Sequence, residues 1–170
     1  FYSFFALGKI RKTLSISMDA FDDFINYKAV KFYLKNKKIY TKELVKGGNL
    51  IIARLYRYIT LILGLKPNEH EYKVMGLAPY TKRQYFEKTT ELFFSLQDVK
   101  GLKFYNKKKI PDLYFYIKEL LDGKRFDAIS GALQDYTEKL INKWIKNILK
   151  KHSFENISLA GGVAMNVKNN

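Results

Sequence analysis

The last fifteen residues, Asn156-Ile-Ser-Leu-Ala-Gly-Gly-Val-Ala-Met-Asn-Val-Lys-Asn-Asn170, constrain the fold more than any other stretch. A short apolar run ends there in a glycine pair, Gly161 and Gly162, which is followed by small residues and an asparagine. Glycine has no Cβ and reaches backbone conformations closed to other residues, so this pattern is typical of a strand that ends in a tight loop against something bulky. Loops after strand ends are where α/β folds hold ligands. The pattern therefore predicts an α/β fold with a ligand loop, in a piece of a larger enzyme.

Composition narrows the class of protein. The 170 residues, 47% of them apolar, suffice for one domain with a hydrophobic core. The chain has no cysteine, which excludes disulfides and thiolate metal sites and favours a cytoplasmic setting. The longest apolar stretch, Leu50–Leu63, is interrupted by two arginines, so we expect no membrane span.

The formal net charge of +15 favours anionic partners in general. The lysines are spread over the segments 35–38, 103–109 and 146–151 rather than gathered in one. We therefore interpret them as solvated faces and expect no dedicated nucleic-acid surface.

The first part of the chain predicts an antiparallel meander. Leu14–Met18 alternates apolar and polar residues, as a half-buried strand does. Strand-like runs follow at Asn26–Leu34 and Ile39–Leu44, with Asn36-Lys-Lys38 as the turn between them. The first turn of the meander, Asp19–Asp23, is acidic. Because aspartate suits turns by itself, the residues alone leave a plain turn and a phosphate or metal site both open.

Apolar periodicity predicts the remaining elements. We expect helices from Asn49 (as N-cap) to Gly64, over Arg83–Leu96, over Asp112–Leu121 and from Phe126 to about Lys151, and a short strand at Leu102–Tyr105. Gln134 and Glu138 lie four residues apart on the last helix, on a face that we expect to meet solvent. No repeat, linker or domain boundary is visible.

The segment His70–Tyr80 mixes charged, small and apolar residues. Its Glu71 and Lys73 lie two residues apart, which places them on one face of a strand but on diverging faces of a helix. The residues alone favour a short helix end with a surface ion pair. The two histidines, His70 and His152, have no metal-ligand spacing.

Taken in order, these segments resemble the O-carbamoyltransferases of the nodulation and antibiotic-tailoring types. The resemblance rests on Asp19–Asp23, Tyr56–Thr60, Gly64–Pro67, Glu71–Tyr80, Gln134 with Glu138, and Leu159–Asn166. The block Lys73-Val-Met-Gly-Leu-Ala-Pro-Tyr80 is the most specific of them. It also separates the chain from the relatives that make threonylcarbamoyl-adenosine in tRNA.

The resemblance implies an actin-like ATPase fold of the ribonuclease-H-like class, of which residues 1–170 form an incomplete domain. It also implies a reaction. In the family, a C-terminal domain makes carbamoyl-adenylate from carbamoyl phosphate and ATP. The actin-like domain then passes the carbamoyl group to a hydroxyl of a sugar or natural-product acceptor, beside a metal ion expected to be iron. The family's metal ligands are expected before Phe1 and after Asn170, so the resemblance implies no metal site and no activity in this fragment alone.

The resemblance also implies roles for particular residues. Lys73 would neutralise charge on the leaving AMP or the carbamoyl oxygen, and Glu71 would orient it or meet the acceptor hydroxyl. The backbone N–H groups of the glycine pair would reach the nucleotide phosphate. The implied catalytic residues are Glu71 and Lys73, and the implied nucleotide-binding residues are Asp19, Gly161, Gly162, Val163 and Asn166.

One departure keeps alternatives open. The family's first loop reads Asp-Gly-x-Gly-Asp, whereas Ala20 and Asp22 replace both glycines here. A Cβ at residue 20 and an added carboxylate at residue 22 would crowd or repel a phosphate. The alternatives are a non-catalytic nucleotide-binding relative, and a basic RNA-binding module or tRNA-modifying relative.

Overall fold

The structure, a computed structural model, describes residues 12–22 and 24–166, and only the backbone of residues 21 and 22. In these residues six strands and five α-helices form a mixed α/β fold, as the sequence predicts. The strands are β1 (Thr13–Asp22), β2 (Ile25–Lys35), β3 (Lys38–Gly47), β4 (Gln97–Lys100), β5 (Lys103–Asn106) and β6 (Asn156–Ala160). The helices are α1 (Ile52–Ile62), α2 (Glu71–Leu77), α3 (Arg83–Phe94), α4 (Leu113–Leu120) and α5 (Phe126–Lys151), with 3-10 turns at Ala78–Tyr80 and Gly162–Met165.

The main sheet has the strand order β3-β2-β1-β6. Strands β1, β2 and β3 form the predicted antiparallel meander. Asn36 and Lys37 make the turn between β2 and β3, with φ angles of 50° and 60°, as a two-residue hairpin turn requires. Strand β6 lies parallel to β1, with Ser17 opposite Ala160.

The described chain divides into two compact units. The first holds the main sheet and comprises the residues up to Leu50, Val99–Phe104 and those from Asn142 onward; the second comprises Ile51–Asp98 and Tyr105–Ile141. Among the described residues, no helix combines the length and apolar character that a membrane crossing requires.

Aromatic side chains organise the core of the first unit. The ring of Tyr27 stands edge-on to Phe104 and Trp144, with centroid distances of 4.7 and 5.6 Å. The indole Nε1 of Trp144 donates to the carbonyl oxygen of Leu102 at 2.8 Å, so the buried tryptophan has its polar atom paired. Asn49, predicted to cap α1, donates instead to the Phe104 carbonyl oxygen, and α1 begins after Ile51 with no side-chain cap.

In the second unit, α5 buries a face whose apolar residues recur three and four positions apart in the sequence. Ile129, Leu133, Tyr136 and Leu140 are at most 2% exposed. The Tyr136 ring packs against Phe94 at a centroid distance of 4.9 Å. The spacing of three and four therefore predicts this face correctly.

Candidate functional site

The two predicted site segments lie at the neighbouring strands β1 and β6: Asp19 belongs to β1, and Gly161 and Gly162 follow β6. Because these strands run parallel with Ser17 opposite Ala160, the residues that come after this pair in each segment lie side by side. Gly161 has a φ of 91°, and a Cβ built on it would lie 2.2 Å from the carbonyl oxygen of Met18. Position 161 therefore needs glycine because the β1 backbone occupies the place of a side chain.

Asp19 and Gly162 meet at this edge of the sheet. A Cβ on Gly162 would lie 3.0 Å from Asp19 Oδ1, and both residues are exposed. The same carboxylate oxygen accepts a hydrogen bond from the backbone N–H of Ala20 at 2.7 Å. Two of the predicted nucleotide-binding residues thus lie next to each other on one exposed surface.

Val163 and Asn166 belong to the same loop but are buried, each 7% exposed. The backbone N–H of Ala164 donates to the Gly161 carbonyl oxygen at 3.0 Å, and that of Asn166 to the Val163 carbonyl oxygen at 3.4 Å. These bonds close the loop into a 3-10 turn. The burial of both side chains favours a role in supporting the loop.

The predicted acidic turn, Asp19–Asp23, is described only in part, and the prediction is wrong for residues 19–22, which belong to β1. The strand continues to Asp22 with an irregular register between Met18 and Asp22. Phe24 has a φ of 63° and is 84% exposed. Asp23 and the side chain of Asp22 lie outside the described residues, so the replacement at position 22 has no structural account.

Glu71 and Lys73 lie in the second unit, in the first turn of α2. Glu71 Oε1 accepts a hydrogen bond from the backbone N–H of Asn68 at 2.6 Å, which fixes the entry to the helix. The ammonium group of Lys73 lies 5.9 Å from the centroid of the Tyr72 ring. Residues two apart diverge on a helix, and the ion pairs of the described residues include none between Glu71 and Lys73. The predicted ion pair is therefore wrong.

For Gln134, the expectation of a solvent-facing side chain is wrong. The predicted solvent-facing residue is 3% exposed. Its Oε1 accepts from the Tyr56 hydroxyl at 2.7 Å, and its Nε2 donates to Glu138 Oε1 at 2.7 Å. The first hydrogen bond joins α1 to α5, and the second lies within α5. Together they give both polar atoms of the buried amide a partner. Tyr56 and Gln134 both belong to segments that carry the family resemblance, and this is the signal in the sequence that could have indicated their contact.

The described part of the chain offers no metal centre. It contains no group of three or more histidine, cysteine, aspartate or glutamate residues that could hold a metal ion. The metal that the resemblance implies therefore does not fit the described part of the chain by itself.

Comparison with known proteins identifies a family and several relatives. A family model described as "Carbamoyltransferase N-terminus" matches residues 4–170. An uncharacterized protein of Methanocaldococcus jannaschii is 30% identical over 98% of this chain and 33% of its own length. The nodulation protein NolNO of Sinorhizobium fredii is 33% identical over 56% of the chain and 15% of its own length. The nodulation protein NolO of Bradyrhizobium diazoefficiens is 31% identical over 56% of the chain and 18% of its own length. The chain thus spans a third or less of each of these relatives.

Proposed function

The chain belongs to the family of carbamoyltransferase N-terminal domains, and we propose that the full-length protein transfers a carbamoyl group from carbamoyl-adenylate to a hydroxylated acceptor. A further domain would form carbamoyl-adenylate from carbamoyl phosphate and ATP. In the transfer, the acceptor oxygen bonds to the carbamoyl carbon, and the bond from that carbon to the phosphate oxygen breaks. AMP leaves with the bonding electron pair, and the hydroxyl proton passes to a base or to solvent. The acceptor belongs to the sugars or related hydroxylated natural products, and the setting is cytoplasmic.

The observation that carries this proposal is the meeting of Asp19 with Gly162 beside the parallel strands β1 and β6. Ligands of open α/β sheets bind at the carboxyl ends of strands. Three antiparallel strands followed, after helices, by a parallel fourth strand also agree with one half of an actin-like ATPase fold. We propose that the chain forms part of such a domain.

The exposed surface at Gly162 leaves room for a nucleotide, which a bulky side chain at this position would exclude. The absence of a Cβ leaves the backbone of Gly162 open next to Asp19, so a phosphate oxygen can approach the N–H groups of the glycine pair. The Asp19 carboxylate only accepts hydrogen bonds. It therefore suits the ribose hydroxyls or the carbamoyl amide of the adenylate rather than the phosphate. The described residues offer no ligand set for a metal ion, so the roles proposed for Asp19 and Gly162 involve the adenylate alone.

Lys73 is proposed to neutralise the charge that develops on AMP or on the carbamoyl oxygen. The hydrogen bond from the Asn68 N–H to Glu71 supports this role by fixing the first turn of α2, which contains Lys73. Glu71 is thereby assigned to positioning, with its second oxygen available to the acceptor hydroxyl.

The test is a transfer assay with the full-length protein, carbamoyl phosphate, ATP and a panel of sugars and other hydroxylated acceptors. Lys73→Met should lower the transfer rate on the order of a hundredfold, while the formation of carbamoyl-adenylate, measured by pyrophosphate release, persists. Lys88→Met, at an exposed lysine of α3, is the matched control and should transfer normally. Unchanged transfer by Lys73→Met would remove Lys73 from the mechanism.

The replacement of both loop glycines by Ala20 and Asp22 favours one second candidate, a non-catalytic nucleotide-binding relative. That protein would bind ATP or its adenylate and transfer nothing to any acceptor. The same assay, run beside equilibrium nucleotide binding, separates the two candidates.

A further inference from the structure

The hairpin of β2 and β3 carries a row of cross-strand pairs on one face. In this row Lys31 lies opposite Lys42, Tyr33 opposite Tyr40 and Lys35 opposite Lys38. Side chains two residues apart on a strand point to the same face, so the pairs follow one another along that face. The tyrosine rings stack at a centroid distance of 5.7 Å. We call these six residues the lysine–tyrosine row.

Another lysine pair of the same hairpin is neutralised within the chain. Lys28 lies opposite Lys46, and the Glu43 carboxylate binds the two ammonium groups at 3.1 and 3.4 Å. The hydrogen bond from Lys28, followed by that from Lys46, lowers the pKa of Glu43. The repulsion between the two lysines of this pair is thus offset by the carboxylate beside them.

The lysine–tyrosine row has no such carboxylate. Among the described residues, no acidic side chain forms an ion pair with its four lysines. Lys31 lies near the rings of Tyr33 and Phe154, at 6.0 and 5.8 Å from their centroids, and the other three lysines are exposed. Like charges directly opposite each other destabilise paired strands. The row therefore holds positive charge that a bound acidic group would stabilise.

Strand β3 is the outermost strand at one end of the sheet order. Within the described part of the chain, no strand pairs with its outward edge. An edge strand presents N–H and C=O groups on which an extended peptide can add as a further strand. The alternate side chains of such a peptide would lie opposite Lys38, Tyr40 and Lys42 on the row's face.

We propose that β3 binds an extended acidic segment of a partner protein by strand addition, with carboxylates opposite Lys38 and Lys42 and an aromatic residue opposite Tyr40. Each carboxylate then relieves a lysine pair as Glu43 does elsewhere in the hairpin. A second copy of β3 fits poorly, because antiparallel pairing centred on Tyr40 places Lys38 opposite Lys42. A nucleic-acid strand would meet the charge but leave the backbone edge unpaired.

The probe for this site is the fluorescent peptide Thr-Glu-Val-Tyr-Val-Glu-Thr, titrated against the full-length protein by anisotropy. A counterpart with lysine for both glutamates measures the role of charge. The acidic peptide should bind and weaken with salt, whereas the lysine peptide should not bind.

Reversing the charges of the strand should reverse this preference. The double variant Lys38→Glu/Lys42→Glu should bind the acidic peptide about tenfold or more weakly and gain affinity for the lysine peptide. A gain cannot arise from misfolding. The control Lys88→Glu/Lys150→Glu changes the net charge equally at exposed helix positions and should bind as the wild type does. If the control loses as much affinity for the acidic peptide as Lys38→Glu/Lys42→Glu does, the proposed binding site on β3 is wrong.

The backbone edge is tested by two acidic peptides, each N-methylated at one set of alternate residues. Strand addition predicts that one of the two loses binding and the other keeps it, because only one set of N–H groups faces β3. If both bind like the unmodified peptide, strand addition is wrong. If a single-stranded RNA oligomer of equal charge binds more tightly through Lys38 and Lys42, the surface serves nucleic acid instead.

Discussion

Gly161 and Gly64 both have positive φ angles, of 91° and 73°, but their surroundings differ. A Cβ at Gly161 meets the backbone of Met18, whereas none of the described atoms lies within 4 Å of one at Gly64. We predict that Gly161→Ala lowers the free energy of unfolding by about 2–4 kcal/mol, from backbone strain and overpacking together. Gly64→Ala should cost only the strain, about 1 kcal/mol. Urea unfolding of both variants measures the difference, and equal losses would contradict the packing of Gly161 on β1.

Asp127 gives the molecule a pH dependence at the residue scale. Arg125 Nε and Nη2 each donate to its carboxylate at 3.0 Å, and this hydrogen bonding lowers the pKa of Asp127. Because the folded pKa lies below the unfolded one, the pair stabilises the fold above the unfolded pKa, near pH 4. That stability is lost as pH falls through the folded pKa.

The corresponding prediction concerns Asp127→Asn. The variant should be less stable than the wild type at neutral pH, and the difference should shrink as the solution is acidified below about pH 4. Thermal unfolding of both proteins across this range is the measurement. Parallel curves at all pH values would show that the ion pair does not stabilise the fold.

At the scale of elements, two helical glycines should respond to alanine with opposite signs. A Cβ at Gly131 of α5 would lie 2.3 Å from Thr81 Cγ2 and 2.9 Å from Phe86 Cδ1, while at Gly76 of α2 no described atom lies within 4 Å. Gly131→Ala should therefore destabilise the protein by about 1–3 kcal/mol. Gly76→Ala should stabilise it by about 0.5–1 kcal/mol through helix propensity. Denaturant midpoints decide, and stabilisation by Gly131→Ala would refute the close contact.

The spacing of apolar residues predicts most elements of this fold, because a helix or strand that buries one face repeats apolar residues at regular intervals within its own sequence. The apolar residues of α5 recur at three and four, and β1 begins as an alternating strand, so each could be identified without its neighbours. Gln134 could not, because its burial depends on the hydroxyl of Tyr56, 78 residues away along the chain. Asn49 likewise forms its bond with Phe104, although its local pattern is that of a helix cap. Strand β4 has the sequence Gln-Asp-Val-Lys, with one apolar residue among four, so it shows no strand-like apolar pattern.

At the scale of the whole molecule, the sequence shows no domain boundary, yet the described chain divides into two compact units. The chain passes between them after Leu50, in the loop that joins β3 to α1, and again inside β4, inside β5 and inside α5. The last three crossings lie within continuous elements, so no proline- or glycine-rich linker marks them. Of the predicted site residues, Asp19 and Gly162 belong to the first unit and Lys73 belongs to the second. The family-like motifs could be found from sequence because each is local, whereas the meeting of Asp19 with Gly162 required the parallel pairing of β1 with β6.

The central claim is that the Asp19–Gly162 surface receives the carbamoyl donor. The most direct measurement is the rate of carbamoyl transfer by the full-length wild type and by Gly162→Val, with adenylation measured in parallel. The valine side chain would fill the surface beside Asp19. We predict transfer by the wild type and a loss on the order of a hundredfold in the variant, with adenylation and melting temperature retained. Equal transfer by both proteins, or adenylation without transfer by the wild type, would contradict the claim.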